Sequence, residues 1–240
     1  MYGYAGNDTI RGYGGDDFIT GNEGSDRLFG GSGIDNIFGD SGNDRLFGES
    51  GRDILEGGEG HDWLNGGRGD DQLFGQSGID TLEGSEGHDR LLCGAGSDRL
   101  FGGFDNDTLA GVSIISGNPG LGEIDTLRGG GGNDVFELGS ANNYYYNDTS
   151  PNNSENFGTN DYALIEDFMS GDLIQLNGSP DQYEIRSTQF VNIPDSTLPS
   201  AAIFRREVGL FSLDLVGVVQ LSDDTSALNL NDSSQFTYVG

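Results

Sequence analysis

From Gly3 to Ala110 the chain repeats a nine-residue pattern of polar and apolar positions with no insertion or deletion. Written from the residue that opens each unit, the pattern is G-G-x-G-x-D-x-U-x, where U is a large aliphatic side chain. Gly30 to Phe38 (GGSGIDNIF) and Gly57 to Asn65 (GGEGHDWLN) are the clearest copies. The eighth position is aliphatic in every unit: Ile10, Ile19, Leu28, Ile37, Leu46, Leu55, Leu64, Leu73, Leu82, Leu91, Leu100 and Leu109. The sixth is always aspartate: Asp8, Asp17, Asp26, Asp35, Asp44, Asp53, Asp62, Asp71, Asp80, Asp89, Asp98 and Asp107. A disordered Gly/Asp-rich tract does not hold one aliphatic residue in phase over such a length. Beyond Ala110, the segment Gly111 to Pro119 keeps the length of a unit but almost none of its pattern. Gly120 to Arg128 recovers Asp125 and Leu127, and Gly129 to Glu137 restores Asp134 and Phe136. The blank unit is either a stacked turn without its aspartate or a bulge or loop of matching length.

This periodicity predicts an all-β coil. Six residues of turn, with glycines free to take backbone angles that side chains forbid, lead into an x-U-x strand whose central residue faces inward. Two units, eighteen residues, make one coil. Coils stack in parallel at about 4.8 Å around a thin double row of Ile and Leu. Residues eighteen apart become neighbours, so the aspartates form two ladders. One holds Asp8, Asp26, Asp44, Asp62, Asp80 and Asp98; the other holds Asp17, Asp35, Asp53, Asp71, Asp89, Asp107 and Asp125. Position five varies (Asn7, Asp16, Ser25, Ile34 and onward), which suggests that its carbonyl, not its side chain, is used. His61 and His88 fall there and read as exposed turn residues. Among outward positions, Phe29 and Phe47 are expected side by side on one sheet, with Arg27 and Arg45 beside them.

The period stops after Glu137. Residues 1–137 read as the roll and 138–240 as a small β-rich capping domain that covers open strand edges. Residues 139–160 read as a long loop or loose hairpin. Strand-like runs follow at Tyr162 to Phe168, Asp172 to Leu176, Tyr183 to Arg186, Ala202 to Arg205, Leu213 to Gln220 and Phe236 to Val239.

Charge sharpens this picture. The formal net charge is -29, with 11 cations that are all arginine. Such acidity argues against nucleic acid and anionic membrane as partners. There is no apolar run long enough to span a membrane and no signal peptide. The chain opens inside a repeat, as expected of the C-terminal piece of a longer protein or its short free-standing version. Its one cysteine, Cys93, replaces the opening glycine of a unit and reads as a tolerated small residue. Stacked carboxylates repel by about 1 kcal/mol per neighbour in water, and by more when buried. A hard divalent cation between turns reverses that sign. Carboxylates and turn carbonyls offer oxygen only, which suits calcium better than magnesium. The ladders have room for roughly ten Ca2+ ions, one per pair of stacked turns.

The nonapeptide resembles the RTX family of haemolysin-type calcium-binding repeats. The resemblance implies a right-handed parallel β-roll, with calcium between stacked turns held by turn carbonyls and the sixth-position aspartates. Asp125 and Asp134 are included with the twelve named above. Asp161 to Leu176 (DYALIEDFMSGDLIQL) resembles the run that follows the repeats in many RTX proteins. Ser233 to Gly240 (SSQFTYVG) resembles the endings of RTX chains exported by type I secretion machinery. The implied protein is secreted and extracellular. RTX repeats often trail a protease, lipase or polysaccharide epimerase, yet this chain has no H-E-x-x-H, no G-x-S-x-G and no lysine for a phosphate loop. An enzyme is therefore not expected. The alternatives are a surface or adhesion protein that binds glycans or cells through its aromatic face, and the non-catalytic tail of an RTX toxin or enzyme.

Overall fold

The computed structural model describes residues 1–112, 124–140, 143–144, 162–168, 172–177, 183–187, 200–206, 213–221, 228 and 231–239. They form a parallel β-solenoid without helix. Up to Leu173–Asn177, successive strands of the two main sheets alternate between them: one sheet of ten strands, from Tyr2–Ala5 to Phe236–Val239, and one of eleven that begins at Thr9–Gly14. The register is that of the repeat. Phe29 pairs with Phe47, Leu28 with Leu46, and Leu64 with Leu82. The eighth-position residues from Ile19 to Leu127, and Phe136, are fully buried in one continuous core; Ile10, in the first full unit, is only partly buried.

The strands are longer than the x-U-x segment. Arg27–Ser32 and Trp63–Arg68 run from position seven into position three of the next unit. The pairing skips position one and resumes at positions two and three, as in Glu83↔Phe101 followed by Ser85↔Gly103. Coil-to-coil hydrogen bonds then extend to position four, where the Gly6 N–H donates to the Glu23 carbonyl and the Gly24 N–H to that of Ser41. The coil is therefore almost continuously bonded to its neighbours, which satisfies backbone groups that a six-residue loop would leave to water.

The blank nonapeptide breaks the spacing. Below it, each strand pairs with the one eighteen residues on, as Arg90↔Thr108. Across it, Arg99 pairs with Thr126 and Thr108 with Val135, an offset of 27 residues in the hydrogen bonds that join these coils. Gly111 and Val112 keep the regular register, so the chain carries nine residues more than the coil spacing between Val112 and Ile124, and the residues between those two fall outside the described residues. Of the two alternatives for Gly111 to Pro119, the register selects an insertion. The core explains why the offset is tolerated: it puts Leu127 over Leu100 and Phe136 over Leu109, so both aliphatic rows stay in phase.

Beyond the repeats, strands occupy the six expected stretches. Tyr162–Phe168 and Leu213–Leu221 continue the larger sheet in parallel, and Leu173–Asn177 and Phe236–Val239 continue the other. Ser200–Arg206 and Tyr183–Ser187 then add antiparallel to the larger sheet. Gly139–Ser140 and Asn143–Tyr144 form a short antiparallel pair within the predicted 139–160 loop, most of which lies outside the described residues.

Candidate metal centres

Each turn places its aspartate by local backbone chemistry. Position four has positive φ in the regular units, for example 138° at Gly42 and 134° at Gly60, where only glycine sits without strain. The chain there folds back so that the aspartate side chain points into the coil. Asp26 to Asp107 along the repeat, with Asp125 and Asp134, are buried, whereas Asp8 and Asp17 at the first coils are half-buried.

The two carboxylate oxygens have different surroundings. Oδ1 accepts the backbone N–H of the sixth-position aspartate one coil earlier: Asp26 N–H donates to Asp44 at 2.7 Å, and Asp53 N–H to Asp71 at 2.8 Å. Oδ2 of Asp8, Asp17, Asp26, Asp35, Asp44, Asp53, Asp62, Asp71, Asp80, Asp89, Asp107 and Asp134 is buried and meets no hydrogen-bond donor among the described residues. It points into a niche that exists because position one lacks a side chain. A Cβ at Gly48 would lie 2.5 Å from Asp53 Oδ2 and 2.5 Å from the Gly66 carbonyl oxygen. At Gly39 the same two distances, to Asp44 Oδ2 and the Gly57 oxygen, are again 2.5 Å. These niches, like those at Gly12, Gly21, Gly84 and Gly102, gather a buried carboxylate oxygen and a backbone carbonyl of the next coil.

Burial makes these carboxyls resist ionisation. It pushes Asp71, Asp80 and Asp107 up to about 8, and Asp44, Asp53, Asp62 and Asp89 to about 6. The backbone hydrogen bond that each accepts opposes the rise. For Asp71, Asp80 and Asp107 the negative neighbours along the ladder add to it. A buried anionic oxygen without a donor is a costly arrangement. An all-oxygen niche of this kind fits a hard cation such as calcium.

The structure corrects the membership of the ladders. The first runs Asp8, Asp26, Asp44, Asp62, Asp80, Asp98 and then Asp125, whose Oδ1 accepts the Asp98 N–H at 2.9 Å. The second runs from Asp17 through Asp107 to Asp134. Asp125 was expected on the second; the inserted unit moves it to the first. Ala163 follows Asp125 in register and ends that ladder.

Three features escaped the sequence reading. Asp172 extends the second ladder: it is buried, and its Oδ1 accepts the Asp134 N–H at 3.0 Å. Its signal was the D-x-U-x half of the repeat, surviving as Asp172 to Gln175. Asp167 accepts the N–H groups of Gly129 and Gly130, each at 2.9 Å, and pairs with Arg128 at 3.4 Å. It sits beside position one of the previous coil, where no aspartate was sought. The third feature overturns the expectation for position five, whose side chains do act. Asn7 accepts the Ser25 N–H, Asn43 the His61 N–H, Asp70 the His88 N–H and Asn106 the Asn133 N–H. His61 Nδ1 accepts the Ile79 N–H at 2.8 Å. Both histidines are exposed turn residues, as expected. Stacked turns are clasped in both directions, since position five accepts from the coil above and position six from the coil below.

On the outer face, Phe29 and Phe47 stack with centroids 4.8 Å apart and planes 5° apart. Trp63 meets Phe47 edge-on at 5.3 Å, and the Arg11 guanidinium lies over Phe29 at 4.6 Å. No helix among the described residues is long and apolar enough to cross a membrane.

No curated protein matches this chain. The RTX calcium-binding nonapeptide repeat matches in four copies, at residues 2–37, 38–73, 74–109 and 119–149, together more than half of the chain. With its stacked aspartates and oxygen-lined niches, the chain belongs to the RTX family of calcium-binding nonapeptide repeat proteins.

Proposed function

We propose that this chain is a non-catalytic, secreted module that calcium folds. The observation that carries the reading is the row of buried aspartate oxygens without donors, repeated along both ladders. Without a cation, these charges oppose the packing of a thin core. With calcium at the niches, the aspartates and the position-one carbonyls of the next coil would hold it, and binding free energy becomes folding free energy. Low calcium inside a cell keeps such a chain unfolded and exportable by type I secretion machinery; higher calcium outside folds it. Affinities in the extracellular range, roughly 10⁻⁴ to 10⁻³ M, suit that switch. Calcium titration followed by far-UV circular dichroism, with magnesium as control, tests it. A cooperative coil-to-β transition with calcium alone is expected. Full β structure in chelator at neutral pH would refute calcium-driven folding.

A second reading, that the roll also binds glycans or a cell surface, is favoured by the Arg11–Phe29–Phe47–Trp63 ladder, which keeps large rings on an outer face.

A further inference from the structure

One niche differs from the rest. In regular turns position one is glycine, and the space of its absent Cβ is shared by Oδ2 and the carbonyl of the next coil. At Gly75 those atoms are Asp80 Oδ2 and the Cys93 oxygen, 2.5 and 2.6 Å from where a Cβ would sit. One coil later, position one is Cys93 itself. Its side chain is fully buried, and its Sγ lies against the Gly111 carbonyl oxygen, the atom equivalent to those that line the other niches. Sγ and carboxylate oxygens of Asp98 and Asp125 lie within 4.8 Å of one another. We infer that Cys93 plugs this niche, so that the step of the first ladder between Asp98 and Asp125 is closed to calcium.

A second, independent departure falls at the same step. Cys93 Sγ meets the Gly111 carbonyl and the Asp98 N–H meets Asp125, so the nine extra residues fall in sequence between the two residues that contact Cys93 and Asp98. Both irregularities therefore belong to one step of the first ladder. The chemistry agrees: a thiol is a soft donor that calcium does not select, and here it fills volume that an ion would need. In consequence the first ladder is interrupted at Asp98, while the second runs past the same level through Asp89, Asp107 and Asp134.

The inference rests on the reading that calcium occupies the position-one niches. It is tested by the number of calcium ions bound per chain at saturation, measured by equilibrium dialysis on the full chain. Circular dichroism in calcium checks that each variant is folded. Cys93→Gly, which installs the residue of the regular turns, is expected to bind one ion more than the wild type. Cys93→Ala keeps the Cβ and is expected to bind the wild-type number. Gly75→Cys transplants the plug and is expected to bind one ion fewer; if it does not fold, the glycine and alanine variants decide. An unchanged count in Cys93→Gly, or equal gains in the glycine and alanine variants, would overturn the inference. A wild-type chain that binds no calcium at all would instead defeat the functional reading beneath it.

Discussion

At the scale of single residues, the repeat's glycines do different work. Position one is glycine for room: its niche is bounded by Oδ2 and a carbonyl. Position two is glycine for conformation, since φ is positive there whether the residue is Gly58 (112°), Glu49 (74°) or Gln76 (78°). The neighbouring pair Gly48 and Glu49 separates these roles. Gly48→Ala pushes a Cβ to 2.5 Å from both Asp53 Oδ2 and the Gly66 oxygen. It should cost about 1–3 kcal/mol in saturating calcium, the usual range for overpacking. Glu49→Gly removes a left-handed non-glycine conformation, a strain of roughly 1–2 kcal/mol, and adds about 0.5–1 kcal/mol of chain entropy cost. It also removes a negative charge that helps to raise Asp35. A net gain of up to about 1.5 kcal/mol follows. Urea unfolding of both variants in calcium checks the opposite signs; destabilisation by Glu49→Gly would show that strain at position two is not the governing term.

At the scale of elements, parallel strands stack identical positions, so one side-chain choice is amplified along the roll. Where the choice is aliphatic, the result is the core. Where it is aromatic, as at Phe29 and Phe47, the result is a ring ladder on the outside. Ring pairs contribute about 0.5–1.5 kcal/mol each beyond burial. Replacing Phe29, Phe47 and Trp63 by alanine should therefore lower stability in calcium modestly while leaving the calcium transition cooperative. If the face also serves recognition, the same variant loses binding on a glycan array relative to the calcium-loaded wild type. Array binding that survives the triple replacement would remove the aromatic ladder from consideration.

At the scale of the whole molecule, the fold is set against its own charge. The sign of the pH dependence follows from the raised carboxyls. A group whose folded-state pKa lies above its unfolded value stabilises the fold at low pH and loses that contribution as pH rises through the folded value. For Asp44, Asp53, Asp62 and Asp89 the loss runs from the ordinary carboxyl range up to about 6, and for Asp71, Asp80 and Asp107 up to about 8. In chelator, β structure should therefore increase on acidification from about pH 8 towards pH 4, the ordinary carboxyl range. Calcium needs the ionised form, so its apparent affinity should rise over the same interval, with protons released on binding. Circular dichroism in chelator and calcium titrations at several pH values follow both trends. Calcium affinity that fell as pH rose from 6 to 8 would contradict ionised aspartates as the ligands.

The sequence by itself determined whatever is repeated locally. The nine-residue period placed the core at position eight, the aspartates at position six and the alternation of strands between two faces, because each follows from backbone geometry within one unit. Aspartates in phase with that core were enough to point to calcium. Only the tertiary structure decided relations between coils. Asp125 changed ladders because the inserted segment has the length of a unit, and counting along the chain cannot tell a coiled unit from one spliced into a turn. The position-five acceptors, the Asp167 and Asp172 contacts and the plug at Cys93 involve atoms 18 or more residues apart. Their roles depend on which backbone N–H or carbonyl the next coil presents, and that is fixed by stacking register rather than by residue type.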